Sequence, residues 1–366
     1  MTARDTLALP DGRQVRALFP VIVSASRSTD IPAFFADWFF RRLEQGYSLW
    51  RNPFSGKTAC VSYAHTRFIV FWSKNPRPLL KHLGELERRG IGCYVQYTLN
   101  DYRAEGFERH VPEVEERLDT FFALSERLGR DGVIWRNDPL LLTDRLGLDG
   151  LLKKAERLGD ALCGHTEKLV FSFADITPRV AANLKREGVR WQSWTRERME
   201  EYAAALARLN DKWGFTLATC AESVDLERFG IAHNRCVDDE LIIRRAHTDR
   251  ALMKHLGVRI EREPALCPET LPEGALRLGS GLYALRTRKL LDKGQREHCG
   301  CIPSKDIGEY STCRHLCAYC YANADRASVL KNCAGHSTGG ESISGRLLPP
   351  EAAENINSPH AGPGQD

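Results

Sequence analysis

Three cysteines towards the C-terminal end of the chain have the spacing of ligands to one compact metal centre. Cys313, Cys317 and Cys320 are separated by three and two residues. Thiolates are soft ligands that favour iron–sulfur clusters, Zn²⁺ or Cu⁺ over hard ions such as Mg²⁺. Three ligands, rather than four, suit a [4Fe–4S] cluster in which one iron stays open to a small molecule. We therefore predict a [4Fe–4S] cluster at these three residues.

Two further cysteines lie just upstream of this triplet and keep other interpretations open. Cys299 and Cys301, with two of the later thiols, would complete a four-cysteine zinc site. Zinc sites typically use paired Cys-x2-Cys motifs, whereas here a Cys-x-Cys pair precedes a triplet, which favours iron–sulfur. Redox-active or inert thiols are the third interpretation. Cys299 and Cys301 are thus candidates for a fourth ligand, for a second centre, or for no metal role. His298 and His315 are expected to be solvated or to support the ligands.

A weaker candidate metal set consists of Cys220, His233 and Cys236. Cys220 ends a predicted strand, and the other two residues lie in the loop that follows. The spacing is not diagnostic, because a buried cysteine and a hydrogen-bonded histidine would give the same pattern.

Charged or amide side chains follow several predicted strands, just before a turn. Burying such groups beside apolar strands costs free energy unless they are paired or take part in binding or catalysis. In α/β folds the carboxyl ends of the strands form the active or binding site. We expect them to line one pocket, where Arg and Lys would suit a phosphate or carboxylate and Glu222 or Asp138 would carry a proton or pair with a cation. Asn75 and Asp138 precede prolines, so a role in shaping turns stays open for them. The candidate catalytic residues are Arg27, Asp30, Lys74, Asn75, Arg136, Asp138 and Glu222.

Short apolar runs alternate with amphipathic helical patterns over the first 220 residues. Six or more such units in series favour a parallel sheet with crossover helices. We predict a TIM-like full or partial βα barrel; a doubly wound open sheet is the alternative. Strands are predicted at 20–24, 68–72, 92–99, 132–135, 169–173 and 215–219, with a small extra one at 58–62.

The remaining segments have different compositions. We predict a polar leader at 1–17, an α/β domain with a connecting arm at 18–298, a cysteine-rich iron–sulfur segment at 299–333 over the strand ends, and a disordered tail at 337–366. The sequence Gly339-Gly340-Glu341 lies in this tail, and we assign it no binding role.

The composition restricts the class of protein. Of 366 residues, 42% are hydrophobic and 27% are charged, which is typical of a chain that can bury a core. No apolar run reaches 18 residues, so we expect no membrane span. The N-terminal residues lack an export signal, which predicts a cytoplasmic protein whose clustered thiols bind metal rather than form disulfides. A net charge of +4 neither demands nor excludes a nucleic-acid partner.

Motifs distributed over residues 20–325 together resemble an uncharacterised bacterial family, the domain-of-unknown-function family numbered eighteen-forty-eight. They are Ser24-Ala-Ser-Arg27-Ser-Thr-Asp30-Ile-Pro32, Arg51-Asn-Pro-Phe54, Phe71-Trp-Ser-Lys74-Asn75-Pro76, Trp135-Arg136-Asn-Asp138-Pro139, Cys220-Ala-Glu222, His233-Asn-Arg-Cys236, Cys299-Gly-Cys301, Asp306-Ile-Gly-Glu-Tyr310-Ser-Thr-Cys313 and His315-Leu-Cys317-Ala-Tyr-Cys320-Tyr-Ala.

This family is described as having a C-terminal cysteine cluster similar to that of radical S-adenosylmethionine enzymes. The triplet, with Tyr319 before its last cysteine, resembles their cluster loop. The resemblance implies S-adenosylmethionine at the open iron, an electron donor, and radical chemistry on an unknown small-molecule or nucleic-acid substrate. In the radical enzymes the triplet follows the first strand, so here either a circularly permuted arrangement or a C-terminal segment folded over the strand ends is needed. A zinc-stabilised nucleic-acid-binding module and a metal-dependent hydrolase with a structural cysteine cap are the alternative functions.

Overall fold

A computed structural model describes residues 3–264 and 271–347, and its central element is an eight-stranded parallel sheet. Across the sheet the order is β11-β10-β9-β8-β7-β6-β3-β15, and every neighbouring pair is parallel. The strands of this sheet are β3 (Ile22–Ala25), β6 (Phe68–Ser73), β7 (Gly92–Thr98), β8 (Val133–Leu140), β9 (Lys168–Phe173), β10 (Thr216–Thr219), β11 (Ala232–His233) and β15 (Lys305–Asp306).

Alternate side chains of the central strands enter two different cores, which explains their continuous apolar sequences. Phe71 and Trp135 point into the core beneath the crossover helices. Val70, Ile134 and Val170 point into a second core on the opposite face. We call these the helix-side core and the far-side core. Because both faces are buried, the sheet is covered over most of its area.

The helices begin and end where the sequence supplies caps and apolar stripes. The carboxylate of Asp30 caps the first helix by accepting from Ala33 N. In the helix over 148–162, buried residues recur every three to four positions and face the helix-side core. The helices are α1 (Ile31–Phe34), α2 (Ala36–Gln45), α3 (Leu83–Arg88), α4 (Val114–Leu128), α5 (Leu148–Leu162), α6 (Pro178–Arg186), α7 (Arg196–Asn210), α8 (Asp239–Ala246), α9 (Arg250–Leu256) and α10 (Arg326–Ala334).

The strand order confirms the α/β class. From β3 to β11 the strands follow chain order, without the reversal that a doubly wound sheet requires. Within the described residues β11 and β15 do not pair with each other, so no closed barrel is found there. β15 joins the sheet beside β3, and it leads directly into the segment that contains the cysteine triplet.

Two smaller antiparallel or mixed sheets flank the large one. The first has the order β1-β2-β5-β4, and its outer hairpin includes most of the predicted polar leader. The second, β12-β14-β13, comes from the predicted connecting arm. Their strands are β1 (Ala3–Ala8), β2 (Gln14–Phe19), β4 (Tyr47–Arg51), β5 (Thr58–Ser62), β12 (Val258–Arg262), β13 (Leu276–Gly279) and β14 (Leu282–Arg286).

The first part of the predicted tail packs against this scaffold. Gly340 O accepts from Trp38 Nε1 at 2.8 Å, Glu341 O accepts from Leu49 N at 2.8 Å, and Ile343 is fully buried. The rest of that predicted tail, 348–366, lies outside the described residues. Among the helices that the structure describes, none combines the length and the apolar character needed to cross a membrane.

Candidate functional site

The three cysteines of the triplet lie close together in the loop between β15 and α10. Each thiol is within electrostatic range of the other two: Cys317 of Cys313 and Cys320, and Cys313 of Cys320. Cys317 also lies near Lys74, which follows β6, and Cys313 lies near Asp30, which follows β3. The structure therefore brings the predicted ligands together at the carboxyl edge of the sheet, next to two of the predicted pocket residues.

Burial controls the protonation of these thiols. It raises the pKa of Cys317 well above the ordinary value for cysteine, and it raises the pKa of Cys313 and Cys320 as well. The thiols therefore keep their protons near neutral pH unless a metal replaces them, and metal binding would release those protons.

The triplet thiols are not arranged as the ligands of a single metal ion in the described part of the chain. Within residues 3–264 and 271–347, no three or more His, Cys, Asp or Glu side chains are arranged around one point as ligands of one metal ion. In a [4Fe–4S] cluster each thiolate binds a different iron, so its sulfurs need not converge on one point. The [4Fe–4S] cluster therefore stays a prediction for these three half-buried thiols.

Asp30 organises the junction between the triplet loop and the sheet. Its carboxylate accepts from Ser73 Oγ at 2.7 Å, from Lys74 N at 2.8 Å and from His315 Nε2 at 2.9 Å. Burial raises the pKa of Asp30, but these donors, His315 foremost, outweigh it and hold the pKa below its ordinary value. His315 Nδ1 faces His110 O at 3.1 Å, so both ring nitrogens face oxygen atoms. Asp30 thereby fixes the start of the triplet loop to β6.

Lys74 enters a buried polar network with the residue before the last cysteine. Its Nζ donates to Glu108 Oε1 at 2.7 Å and to Tyr319 Oη at 3.0 Å. Tyr319 Oη also donates to Glu108, and Asn100 Nδ2 donates to both groups, at 3.2 Å to Glu108 and 3.3 Å to Tyr319. Burial raises the pKa of Glu108, but Lys74 and Arg117 outweigh it and lower the pKa. The network ties the triplet loop to β6 and to the loop after β7.

Arg136 and Asp138 form a second ion pair at the carboxyl edge of the sheet. β8 runs to Leu140, so both residues lie within the strand and not after it as the sequence analysis predicted. The guanidinium of Arg136 donates to both oxygens of Asp138 and, through Nη1, to Gln96 Oε1 at 3.2 Å. Trp72 has Arg136 at 5.3 Å and Arg27 at 5.1 Å from its ring centroid, so it holds both cations at this edge.

The other predicted pocket residues occupy separate places along the edge. Glu222 accepts from Phe173 N at 3.0 Å, and burial raises the pKa of Glu222 to about 7. Asn75 lies in the turn after β6, where its backbone N–H donates to Ser73 Oγ at 2.9 Å. Arg27 keeps one buried nitrogen, Nη2, without a hydrogen-bond partner in the described part of the chain.

Asp306 is a structural centre that the sequence analysis missed. Its carboxylate accepts from Ser26 Oγ and Arg27 N, both at 2.7 Å, and from Gly308 N at 2.9 Å. It thereby joins β15 to the loop after β3. The only sequence signal was its place in a motif of the resembled family, because the contact spans 280 residues.

Gly308 makes this junction possible, and an alanine there tests it. A Cβ at Gly308 would overlap Ser26 Oγ and lie 2.7 Å from Ser26 Cβ. We expect Gly308→Ala to lower the free energy of unfolding by about 1–3 kcal/mol, measured in urea. The matched control is Gly84→Ala in α3, where a Cβ meets nothing within 4 Å and stability should rise slightly. Equal effects of the two substitutions would contradict the close packing at Ser26.

Lys305 gives a pH-dependent prediction at the same strand. Its Nζ lies 2.8 Å from the ring centroid of Trp50, a contact that favours the charged form, but burial outweighs it and lowers the pKa of Lys305 to about 7. Between pH 7 and 10 the unfolded chain therefore binds more protons, so this lysine makes folding more favourable as pH rises. The stability of the native protein relative to Lys305→Met should rise over that range by about 2 kcal/mol, after allowance for solvent screening. Exposed Lys153→Met should show no such difference, and a flat difference curve for Lys305→Met would contradict the burial argument.

The predicted auxiliary cysteines lie beside the two cysteines of the weaker candidate set. Cys299 and Cys301 lie with Cys220 and Cys236 against the far-side core, whereas Cys317 of the triplet packs against the helix-side core. His233 lies on β11 and is exposed. The hydrogen bond from the Cys301 thiol outweighs burial and lowers the pKa of Cys299 to about 7.

Comparison with known proteins supports one assignment. A family model described as a domain of unknown function (DUF1848) matches residues 22–322. No curated protein and no solved structure matches the chain. The matched range includes all eight strands of the large sheet and all three cysteines of the triplet. The chain therefore belongs to the DUF1848 family.

Proposed function

We propose that this protein is a cytoplasmic iron–sulfur enzyme of the radical S-adenosylmethionine type, built on an open, partial βα barrel. The observation that carries the proposal is the meeting of Cys313, Cys317 and Cys320 at the carboxyl edge of a parallel sheet. A [4Fe–4S] cluster bound there would supply an open iron for S-adenosylmethionine and the electron that cleaves it.

The position of the triplet supports a role in an active site rather than in a structural metal site elsewhere. In α/β proteins ligands bind outside the carboxyl ends of the strands. The triplet loop lies at the ends of β3 and β6 and is attached there through Asp30 and Lys74. The strand order from β3 to β11 supports the partial barrel, because it runs in one direction as in a βα barrel.

Different residues around this loop would have different roles. Lys74, Glu108 and Tyr319 hold the loop in one position through charge-assisted hydrogen bonds. Arg27 offers an unpaired buried donor to a carboxylate or phosphate of a bound molecule. Glu222 titrates near neutral pH, so it can give or accept a proton.

The same contacts weigh against the nucleic-acid alternative. Arg136 is buried and Lys74 is half-buried, and they are paired with Asp138 and Glu108, so their charges are not free for phosphates. A nucleic-acid surface needs exposed cations, because backbone binding rests on phosphate contacts.

Product analysis tests the proposal. The protein is purified anaerobically, reconstituted with iron and sulfide, reduced with dithionite as a substitute for the cellular electron donor, and incubated with S-adenosylmethionine. We expect 5′-deoxyadenosine to form in proportion to cluster content, and metal-free protein to form none. A fully clustered, folded protein that yields no 5′-deoxyadenosine would overturn the radical assignment.

A further inference from the structure

Four cysteine thiols meet on the face of the sheet opposite the triplet. The sulfurs of Cys220 and Cys236 are 3.3 Å apart. Cys301 Sγ lies 3.2 Å from Cys236 N, and its thiol interacts electrostatically with those of Cys236 and Cys299. Cys236 and Cys301 are buried, and Cys220 and Cys299 are half-buried. We call these four residues the thiol quartet.

The quartet is assembled from two separate regions of the sequence, one with Cys220 and Cys236 and the other with Cys299 and Cys301. Cys220 directly follows β10, Cys236 lies in the loop before α8, and Cys299 and Cys301 lie in the segment before β15. All four belong to or pack against the far-side core. Cys60, Cys93 and Cys163, in contrast, contribute to none of these sulfur contacts. The fold thus gathers thiols that the sequence keeps far apart.

Hydrogen-bond donors converge on the two buried sulfurs. Cys236 Sγ accepts from Arg136 Nη1 at 3.0 Å and from Asn234 Nδ2 at 3.1 Å. Cys301 Sγ accepts from the backbone N–H groups of Cys236 at 3.2 Å and Val237 at 3.3 Å. A neutral thiol is a weak acceptor, whereas a thiolate binds such donors strongly. The surroundings are therefore suited to negative charge on sulfur, as at metal-bound thiolates.

We propose that Cys220, Cys236, Cys299 and Cys301 hold a second metal centre, separate from the triplet, with Zn²⁺ or an iron centre as the bound species. Sets of four thiolates are typical of these metals. The metal replaces the four thiol protons, which leave to solvent. With Zn²⁺ the centre carries a net charge of −2, and the guanidinium groups of Arg136 and Arg27 lie beside it.

Metal binding requires the sulfurs to move from their pairwise contacts. Two sulfurs bound to one Zn²⁺ at about 2.3 Å lie roughly 3.8 Å apart, which is wider than the Cys220–Cys236 contact. The sulfurs of Cys220 and Cys236 must therefore separate by roughly 0.5 Å, since the described residues contain no group already arranged around one metal ion.

The centre would fasten the segment that leads to the triplet. Cys301 O accepts from Asp292 N at 2.9 Å, and Ile302 N donates to Val237 O at 3.1 Å. Three residues after Ile302 the chain enters β15, which is joined to the loop after β3 by Asp306. A metal at the quartet thus positions one end of the triplet segment.

Metal analysis of full-length variants tests the second centre. The C313S/C317S/C320S variant removes the triplet ligands, and C299S/C301S removes half of the quartet. Cys163→Ser, at an exposed free cysteine, is the matched control. After anaerobic purification, metal content is measured by mass spectrometry, and absorption and EPR spectra distinguish Zn²⁺ from iron.

We expect the triplet variant to retain thiolate-bound metal, C299S/C301S to lose that metal, and C163S to match the native protein. If C299S/C301S does not fold, as judged by circular dichroism, Cys299→Ser replaces it, because that side chain is only half-buried. A folded triplet variant without metal would overturn the proposal. So would a folded quartet variant with the full native complement, or a Cys220–Cys236 disulfide in the anaerobically purified protein. These results are independent of 5′-deoxyadenosine formation, so the two proposals can fail separately.

Discussion

The Cys317→Ser variant is expected to lose the iron–sulfur cluster of the triplet, with cluster affinity lower by at least about 100-fold. Mutation of a residue that only supports a metal ligand already lowers metal affinity by about 10–100-fold. Cys317 would be a ligand itself, so a larger loss is expected. Its hydroxyl replacement is a hard, weakly acidic donor that does not take the place of a thiolate on iron. The measurement is iron and sulfide content after reconstitution, together with the visible absorption of the cluster.

Cys333→Ser is the matched control for this loss. Cys333 is also half-buried and lies in α10, where its thiol donates to Thr312 O at 3.3 Å. It follows the triplet closely in sequence but has no place in the predicted ligand set, so its variant should keep the full cluster. If Cys317→Ser and Cys333→Ser retained equal amounts of cluster, the triplet would not be the binding site.

The second large effect is expected at Glu108. Glu108→Gln should lower the free energy of unfolding by about 3–5 kcal/mol, because it leaves two buried cations without their carboxylate. Lys74 Nζ lies 2.7 Å from Glu108 Oε1, and Arg117 Nη1 lies 3.7 Å from Oε2. Urea unfolding followed by circular dichroism measures the change.

Two further variants sharpen this test. Exposed Glu44→Gln should change stability by less than about 0.5 kcal/mol. Lys74→Met in the Glu108→Gln background should restore part of the loss, because it removes one of the unpaired charges. Additive losses in the double variant, or a loss under about 1 kcal/mol for Glu108→Gln alone, would show that the network does not hold the triplet loop.

Local patterns predicted most of the α/β architecture. The apolar run at 68–72 became β6, and the run at 169–173 became β9; Asp30, directly before Ile31-Pro32, caps a helix. These features depend on side-chain burial and capping within a few residues, which the sequence displays directly. β8 was predicted too short because its polar residues 136–138 look like a turn, although they pair within the sheet edge.

Long-range contacts could not be predicted in the same way. The thiol quartet depends on which segments are neighbours, and Cys236 and Cys301 meet only because the loop before α8 and the segment before β15 reach the same core. Asp306 is likewise explained only by the pairing of β15 with β3. The triplet could be singled out from the sequence because its three cysteines lie within eight residues of one another.

EPR spectroscopy of the reduced, reconstituted protein, recorded with and without S-adenosylmethionine, tests the central claim most directly. If the cluster at Cys313, Cys317 and Cys320 has an open iron, the amino and carboxylate groups of S-adenosylmethionine bind that iron. Their binding must change the EPR signal of the cluster. We predict a shift of the signal on addition of S-adenosylmethionine, and none in the Cys317→Ser variant. An intact [4Fe–4S] signal that is identical with and without S-adenosylmethionine would contradict the account.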